Sequence, residues 1–300
     1  MKPSRHPSRS PRVPSDGAPA GAPGASPGTG TPDEVQGLRE RVASLNTRLL
    51  ARTQVAYAEG VLTGRYGLSG REEAFALMKT ASQRWNVKLH RLAAALAVTR
   101  APARGAAQWF PHRVVQPIPS LHAVGEGLSP FNQGEVLAAA LRRVLRVTGG
   151  TRGSVQLYEA GLLRLEQQQG YTQRFRDHLA CVDADTAYAR ALIARSRITV
   201  LDTATATDFD EEMRRLLLSE DVHALVNVPV TGHDGAFRGV ISSLHDTPPT
   251  PLDGRQLREL EDVASAVGRW LAWHQHSVVL AALEFIHQSG RIAARPPEGD

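Results

Sequence analysis

Two cations stand three residues apart at Lys88 and Arg91. On a helix that spacing puts both on one face. Lys88 falls in the first turn of the expected helix, where the macrodipole disfavours a cation by roughly 0.3–1 kcal/mol. A bound phosphate offsets that cost, so the pair points to binding a polyanion. Arg65, Lys79 and Arg84 extend the same positive set. Tyr66 and Trp85 carry rings of the kind on which unpaired bases stack. Trp85 also extends an apolar stripe and reads as core, while Tyr66, at a helix end beside a glycine, fits either role. Asn86 reads as a helix cap or as a base-reading amide.

The charge distribution agrees. Residues 36–100 hold eleven Lys/Arg and four acids, near +7, whereas residues 1–35 are near +1. The other 200 residues total about −3 within a chain of net +5. The positive field belongs to one segment.

Catalytic and metal chemistry find no support. The chain has no Gly-x-Ser-x-Gly, no Gly-x₄-Gly-Lys-Ser/Thr and no His-Glu-x₂-His. His178, His223, His233 and His245 lack metal-ligand spacing, so no metal site is expected. Asp183, Asp185, Asp208 and Asp210 read as caps and loop residues. The single cysteine, Cys181, reads as inert. One cysteine also fits a reducing, cytoplasmic setting. No run of about 18 apolar residues suggests a membrane span, and no apolar run follows the basic N-terminus as a secretory signal would require.

The elements that would position these residues follow from periodicity. Residues 1–32, rich in Pro, Gly, Ser and Ala, are expected to be a disordered tail. Leu38, Val42, Leu45 and Leu49 are spaced as an a/d seam, either a dimer contact or one face packed on its own domain. That helix is expected to run to Tyr66 and end at Gly67. Ser69 and Glu72 resemble a capping box for a second helix, whose apolar face is Ala74, Phe75, Leu77, Met78, Ala81 and Trp85. Asn86 is the expected N-cap of a third, with Leu89, Leu92, Ala93 and Leu96 inward and Lys88 and Arg91 outward.

Residues 101–128 read as a proline-rich linker. Beyond them the pattern is α/β. Helices are expected over 135–147, 187–196, 210–219 and 257–273, the last continuing through Ile286. Strands are expected over 153–158, 162–168, 198–201, 224–230 and 237–244, with turns at Ala160-Gly161 and His233-Asp234-Gly235. The fold class is therefore multi-domain: an all-α bundle with a coiled-coil helix, then an α/β (α+β) domain around a central antiparallel sheet.

Two family resemblances rest on these segments. Residues 53–97 resemble the ANTAR domain of bacterial antitermination regulators. The matching residues are Ala58, Gly60-Val61-Leu62, Arg65-Tyr66-Gly67-Leu68-Ser69, Glu73-Ala74-Phe75-Ala76-Leu77-Met78, Ala81-Ser82, Asn86, Lys88-Leu89 and Leu92-Ala93. Tyr57 and Glu59 depart from the family's usual Gln and basic or polar residue. Residues 131–275 look like a GAF domain, through Gly153–Leu157, Gly170-Tyr171, Ala187–Ser196, Ile198–Asp202, Val228-Pro229-Val230 and Gly239-Val240-Ile241. Their order reverses the family's usual one, in which the sensor precedes the ANTAR module.

The implied layout is a tail (1–32), an ANTAR RNA-binding domain (36–100), a linker (101–128), a GAF-like sensor (129–275) and a helical extension and tail (276–300). The resemblance implies a non-enzymatic, homodimeric regulator that binds RNA hairpins in leader transcripts. The GAF-like domain would respond to a small-molecule ligand, unknown from the sequence, or to a redox state. Two other readings stay open. The short helices also fit a helix-turn-helix for duplex DNA, or the N-terminal module only dimerises and the GAF-like part senses a ligand for a protein partner.

Overall fold

The first helix ends because its backbone turns left-handed. α1 is helical from residue 52 to 66, and Gly67 follows at φ 62°. Leu68 N–H then closes on the Thr63 carbonyl (3.3 Å), a Schellman closure that satisfies an orphan acceptor. The structure, a computed structural model, describes residues 52–194 and 199–293, all within one compact unit. The tail and the seam residues Leu38, Val42, Leu45 and Leu49 lie outside the described residues.

α2 spans Arg71–Trp85 and α3 spans Leu89–Val98. Both junctions differ from expectation. Gly70, not Ser69, is the N-cap of α2, and the Ser69 backbone and hydroxyl both donate to Glu73 rather than pairing with Glu72. Asn86 closes α2 instead of opening α3. Its φ of 48° is left-handed, which asparagine tolerates, and Val87 N–H returns to the Ser82 carbonyl. Lys88 becomes the N-cap residue of α3, without a side-chain cap.

Residues 99–132 form neither helix nor strand, yet they are tied down. Indole N–H groups hold three of their carbonyls: Trp109 takes Arg100, Trp270 takes Pro130 and Trp273 takes Gln116. The expected linker is thus a strap over the helices.

The second half alternates helix and strand. α4 (Gln133–Thr148) starts at Asn132, whose side chain accepts from Glu135 N–H. β1 (Arg152–Glu159) and β2 (Leu162–Gln169) meet at the expected turn, where Ala160 and Gly161 both have positive φ. Next come α5 (Gln173–Leu179), β3 (Cys181–Asp183), α6 (Ala187–Ala194) and β4 (Thr199–Asp202). α7 (Glu211–Ser219) is capped by Asp210, and β5 (Ala224–Thr231) pairs with β6 (Phe237–His245). α8 (Gly254–His274) opens on an Asp253–Gln256 capping box. It passes through a wide π turn (Gln275–Val279) into α9 (Leu280–Ala293).

The sheet is antiparallel throughout, in order β3-β2-β1-β6-β5-β4. The central strand β1 is buried on both faces, as two helical layers require. One face packs Phe175, Tyr188, Met213 and Leu217 of α5, α6 and α7. The other packs Leu137, Val267 and Trp270 of α4 and α8. That second core runs without a break into Leu62, Met78 and Leu92 of the N-terminal helices and Leu283 and Ile286 of α9. No helix among the described residues is long and apolar enough to cross a membrane.

Candidate nucleic-acid interface

α3 exists because Leu92, Ala93 and Leu96 bury a stripe against α2 and α9. That burial turns the start of α3 toward the sheet. Lys88, still about half exposed, places Nζ 2.5 Å from Glu166 Oε2 of β2. His90 approaches the other oxygen of the same carboxylate, at 3.5 Å. Gln133 donates to Glu166 (3.1 Å), so the first turn of α3, α4 and β2 meet at one carboxylate.

Burial alone would raise the Glu166 carboxyl. The His90 hydrogen bond and the Lys88 charge outweigh it and hold the group below the ordinary carboxylate range.

Arg91 lies deeper than its expected outward position. It is 8 % exposed. Nη1 donates to Gln133 Oε1 (2.6 Å), and Nε meets Glu159 Oε1 at the end of β1 (2.6 Å). A buried guanidinium cannot shed its charge, so such partners are obligatory. The two cations at the centre of the expected nucleic-acid face are therefore held by three residues of the second half of the chain.

The other expected contacts are dispersed. Lys79 and Arg84 are exposed on α2, with the Arg84 guanidinium over the Phe285 ring at 4.9 Å. Arg65 is half-buried and stacks on Trp109 at 4.7 Å. Tyr66 is core: its ring lies against α9, and its hydroxyl pairs with His287 Nδ1 (2.9 Å). Burial pushes its phenol up. The Asn86 side chain faces solvent and reaches the Phe131 carbonyl only at 3.4 Å. Trp85 is partly buried against the core.

Phe75 corrects the sequence reading. Expected in the core, it is 39 % exposed, and Tyr57 on α1 is 58 % exposed. Glu59 is buried and held by Arg71 Nε (2.8 Å). Sequence reasoning did not find Glu159, Glu166 or Gln133. Glu166 is 78 residues from Lys88, and no local pattern connects them.

Neither metal nor thiol chemistry stands out. Among the described residues no cluster of three His, Cys, Asp or Glu side chains is placed to hold a metal. Cys181 is partly buried, and that burial raises its thiol out of the reactive range.

A family model, the ANTAR domain, matches residues 43–96. Residues 43–96 are an ANTAR domain. The match covers Lys88 and Arg91 and ends within α3. No curated protein matches the chain at a significant level. Among solved structures, it is similar to the GAF domain/HD domain protein of Geobacter sulfurreducens. That pair shares 14% identity, covers 47% of this chain and 93% of the other, and has a TM-score of 0.41. The A. aeolicus nlh2 GAF domain shares 18% identity over 52% and 90% of the two chains, with a TM-score of 0.35. The phycocyanobilin-bound GAF domain of a cyanobacterial phytochrome shares 18% over 50% and 90%, at 0.37. Likenesses this distant add nothing to the argument. The strand order itself describes the domain that follows the ANTAR domain: a six-stranded antiparallel sheet between helical layers, GAF-like in architecture.

Proposed function

We propose that the chain is a transcription regulator whose ANTAR domain binds hairpin RNA in leader transcripts to cause antitermination, and whose GAF-like domain controls that binding by covering Lys88 and Arg91. The observation that carries this reading is the set of contacts from Glu166, Glu159 and Gln133 to the two cations of α3. A hydrogen bond to a charged group contributes about 1.5–3 kcal/mol. Several together keep the covered state dominant, and a signal must favour the open state by a comparable amount.

The test is a gel shift with the full chain against paired-hairpin RNA, single-hairpin RNA and duplex DNA. Paired-hairpin RNA should bind tightest; tighter binding to DNA would sink the reading in favour of a helix-turn-helix. Lys88→Ala should weaken RNA binding and flatten the salt dependence by about 0.7–0.9 in log–log slope. An unchanged slope removes Lys88 from the interface. Glu166→Gln keeps a hydrogen-bonding side chain but loses the charge that holds Lys88, so it should raise RNA affinity severalfold. Glu212→Gln, on the exposed face of α7, removes the same charge elsewhere and should have little effect. Equal effects of the two would mean that covering is not the control.

A further inference from the structure

A cavity of about 280 Å³ opens where α3 meets the sheet. Its charged wall comes from three places: Arg91 of α3, Glu159 at the end of β1, and Asp234 and Arg238 around the β5–β6 hairpin. Gln275 and His276 of the π turn close another side. The volume falls just below the range of drug-sized sites, so it suits a molecule about as large as an amino acid.

The charges come as two pairs. Arg91 meets Glu159 at 2.6 Å, and Arg238 meets Asp234 at 2.7 Å. A ligand of one sign would satisfy the opposite charges and leave their former partners facing it uncompensated. A zwitterion avoids that penalty, because each end replaces one partner. Tyr158 and Leu271 add apolar surface for a side chain.

Two further features mark this region as shaped for more than stability. The wall is built by a π turn, a distortion that recurs at functional sites. Immediately before it His274 is fully buried, with neither ring nitrogen hydrogen-bonded.

We propose that this cavity binds a small zwitterion of the α-amino acid class. Its carboxylate faces the guanidinium groups of Arg91 and Arg238, and its ammonium faces Glu159 and Asp234. Arg91 and Glu159 also belong to the contacts that cover the ANTAR domain, so a bound carboxylate competes with Glu159 for Arg91 and loosens α3. That consequence rests on the reading given under Proposed function; the binding site does not.

The experiment is thermal unfolding of the full chain without RNA, in the presence of single free amino acids up to about 10 mM. For each that raises the Tm, its amine lacking the carboxylate and its acid lacking the amino group are run alongside. At least one amino acid should raise the Tm, and neither partial molecule should match it. Arg238→Ala should weaken that amino acid about tenfold or more. The unliganded Tm should hardly move, since an exposed ion pair contributes little. No shift with any amino acid, an equal shift from the acid lacking the amino group, or undiminished binding by Arg238→Ala would each overturn the site. A gel shift with and without the amino acid then separates the two ideas. Increased RNA affinity supports both, whereas binding without any change in RNA affinity keeps the site and removes its link to RNA.

Discussion

Arg91 and His274 answer the same environment in opposite ways. Both are buried, and they are close enough for the Arg91 charge to act on the imidazole. The guanidinium keeps its proton and gathers Glu159 and Gln133. The imidazole, between Trp270 and Trp273 and with no hydrogen-bond partner, gives its proton up. Burial, and then the Arg91 charge, hold His274 down at about 3. The ordinary value is 6.5. The folded pKa is therefore depressed, and the associated stability is present in full above about pH 6.5. It is lost progressively as pH falls toward 3, because only the unfolded chain gains the proton. Between neutral pH and about pH 4.5 this group should remove roughly 2–3 kcal/mol. His274→Phe, a ring of similar size, should lose correspondingly less stability over that interval in urea melts at the two pH values. Identical pH dependence in wild type and variant would show that His274 does not stay neutral and buried.

At the level of elements, what was legible depended on how local its cause is. The hairpins of β1–β2 and β5–β6 were readable, because alternating apolar runs flank turn residues that tolerate positive φ. α5 and β3 were not, since seven and three residues are too few to show a period. Asn86 was recognised as a cap but at the wrong end, because asparagine serves both N-caps and left-handed closures. Phe75 was assigned to the core from its place beside Ala74. Yet Ala74, Met78 and Ala81 make the buried stripe, and Phe75 projects about 100° away from Ala74. The charged partners of Lys88 and Arg91 were not legible at all, since they depend on which face of the sheet α3 meets. Close approaches between elements are equally non-local, and two glycines mark them. A Cβ at Gly268 of α8 would lie 2.0 Å from the Thr231 carbonyl oxygen of β5. At Gly290 of α9 it would lie 2.6 Å from the Tyr66 ring. Gly268→Ala must move a helix off a strand, while Gly290→Ala needs a ring to tilt. The former should destabilise by about 2–3 kcal/mol or more and the latter by about 1–2, measured as shifts in urea midpoint at constant m value. The reverse order would mean that α8 is free to slide over the sheet.

Across the whole molecule, α9 is the piece that makes the ANTAR domain part of one body with the sheet. A module of about fifty residues buries too little surface to be robust alone. Here α9 supplies the missing wall: Leu283 and Ile286 are fully buried in the same core as Leu62, Met78 and Leu92. Its polar side chains fasten the strap as well. Glu284 accepts from the backbone N–H groups of Trp109 and Phe110, and His287 lies between the Tyr66 hydroxyl and the Ala106 carbonyl. Periodicity indicated a helical extension here, but not that it returns to the N-terminal helices. Burying a Leu or Ile contributes about 1.5–3 kcal/mol, so losing two of them with these polar contacts removes a large share of a typical stability of 5–15 kcal/mol. A chain ending at Val279 should therefore keep its sheet and lose protection in the helical module. In hydrogen exchange followed by mass spectrometry, amides of α2 and α3 should exchange much faster than in the full chain, while those of β1 and β6 change little. Unchanged protection of α2 and α3 would show that the ANTAR helices are self-sufficient and that α9 merely rests on them. Loss of protection in the sheet as well would show that module and sheet unfold as a single cooperative unit. In that case, control of RNA binding would have to act by exposing Lys88 and Arg91 locally rather than by releasing the module.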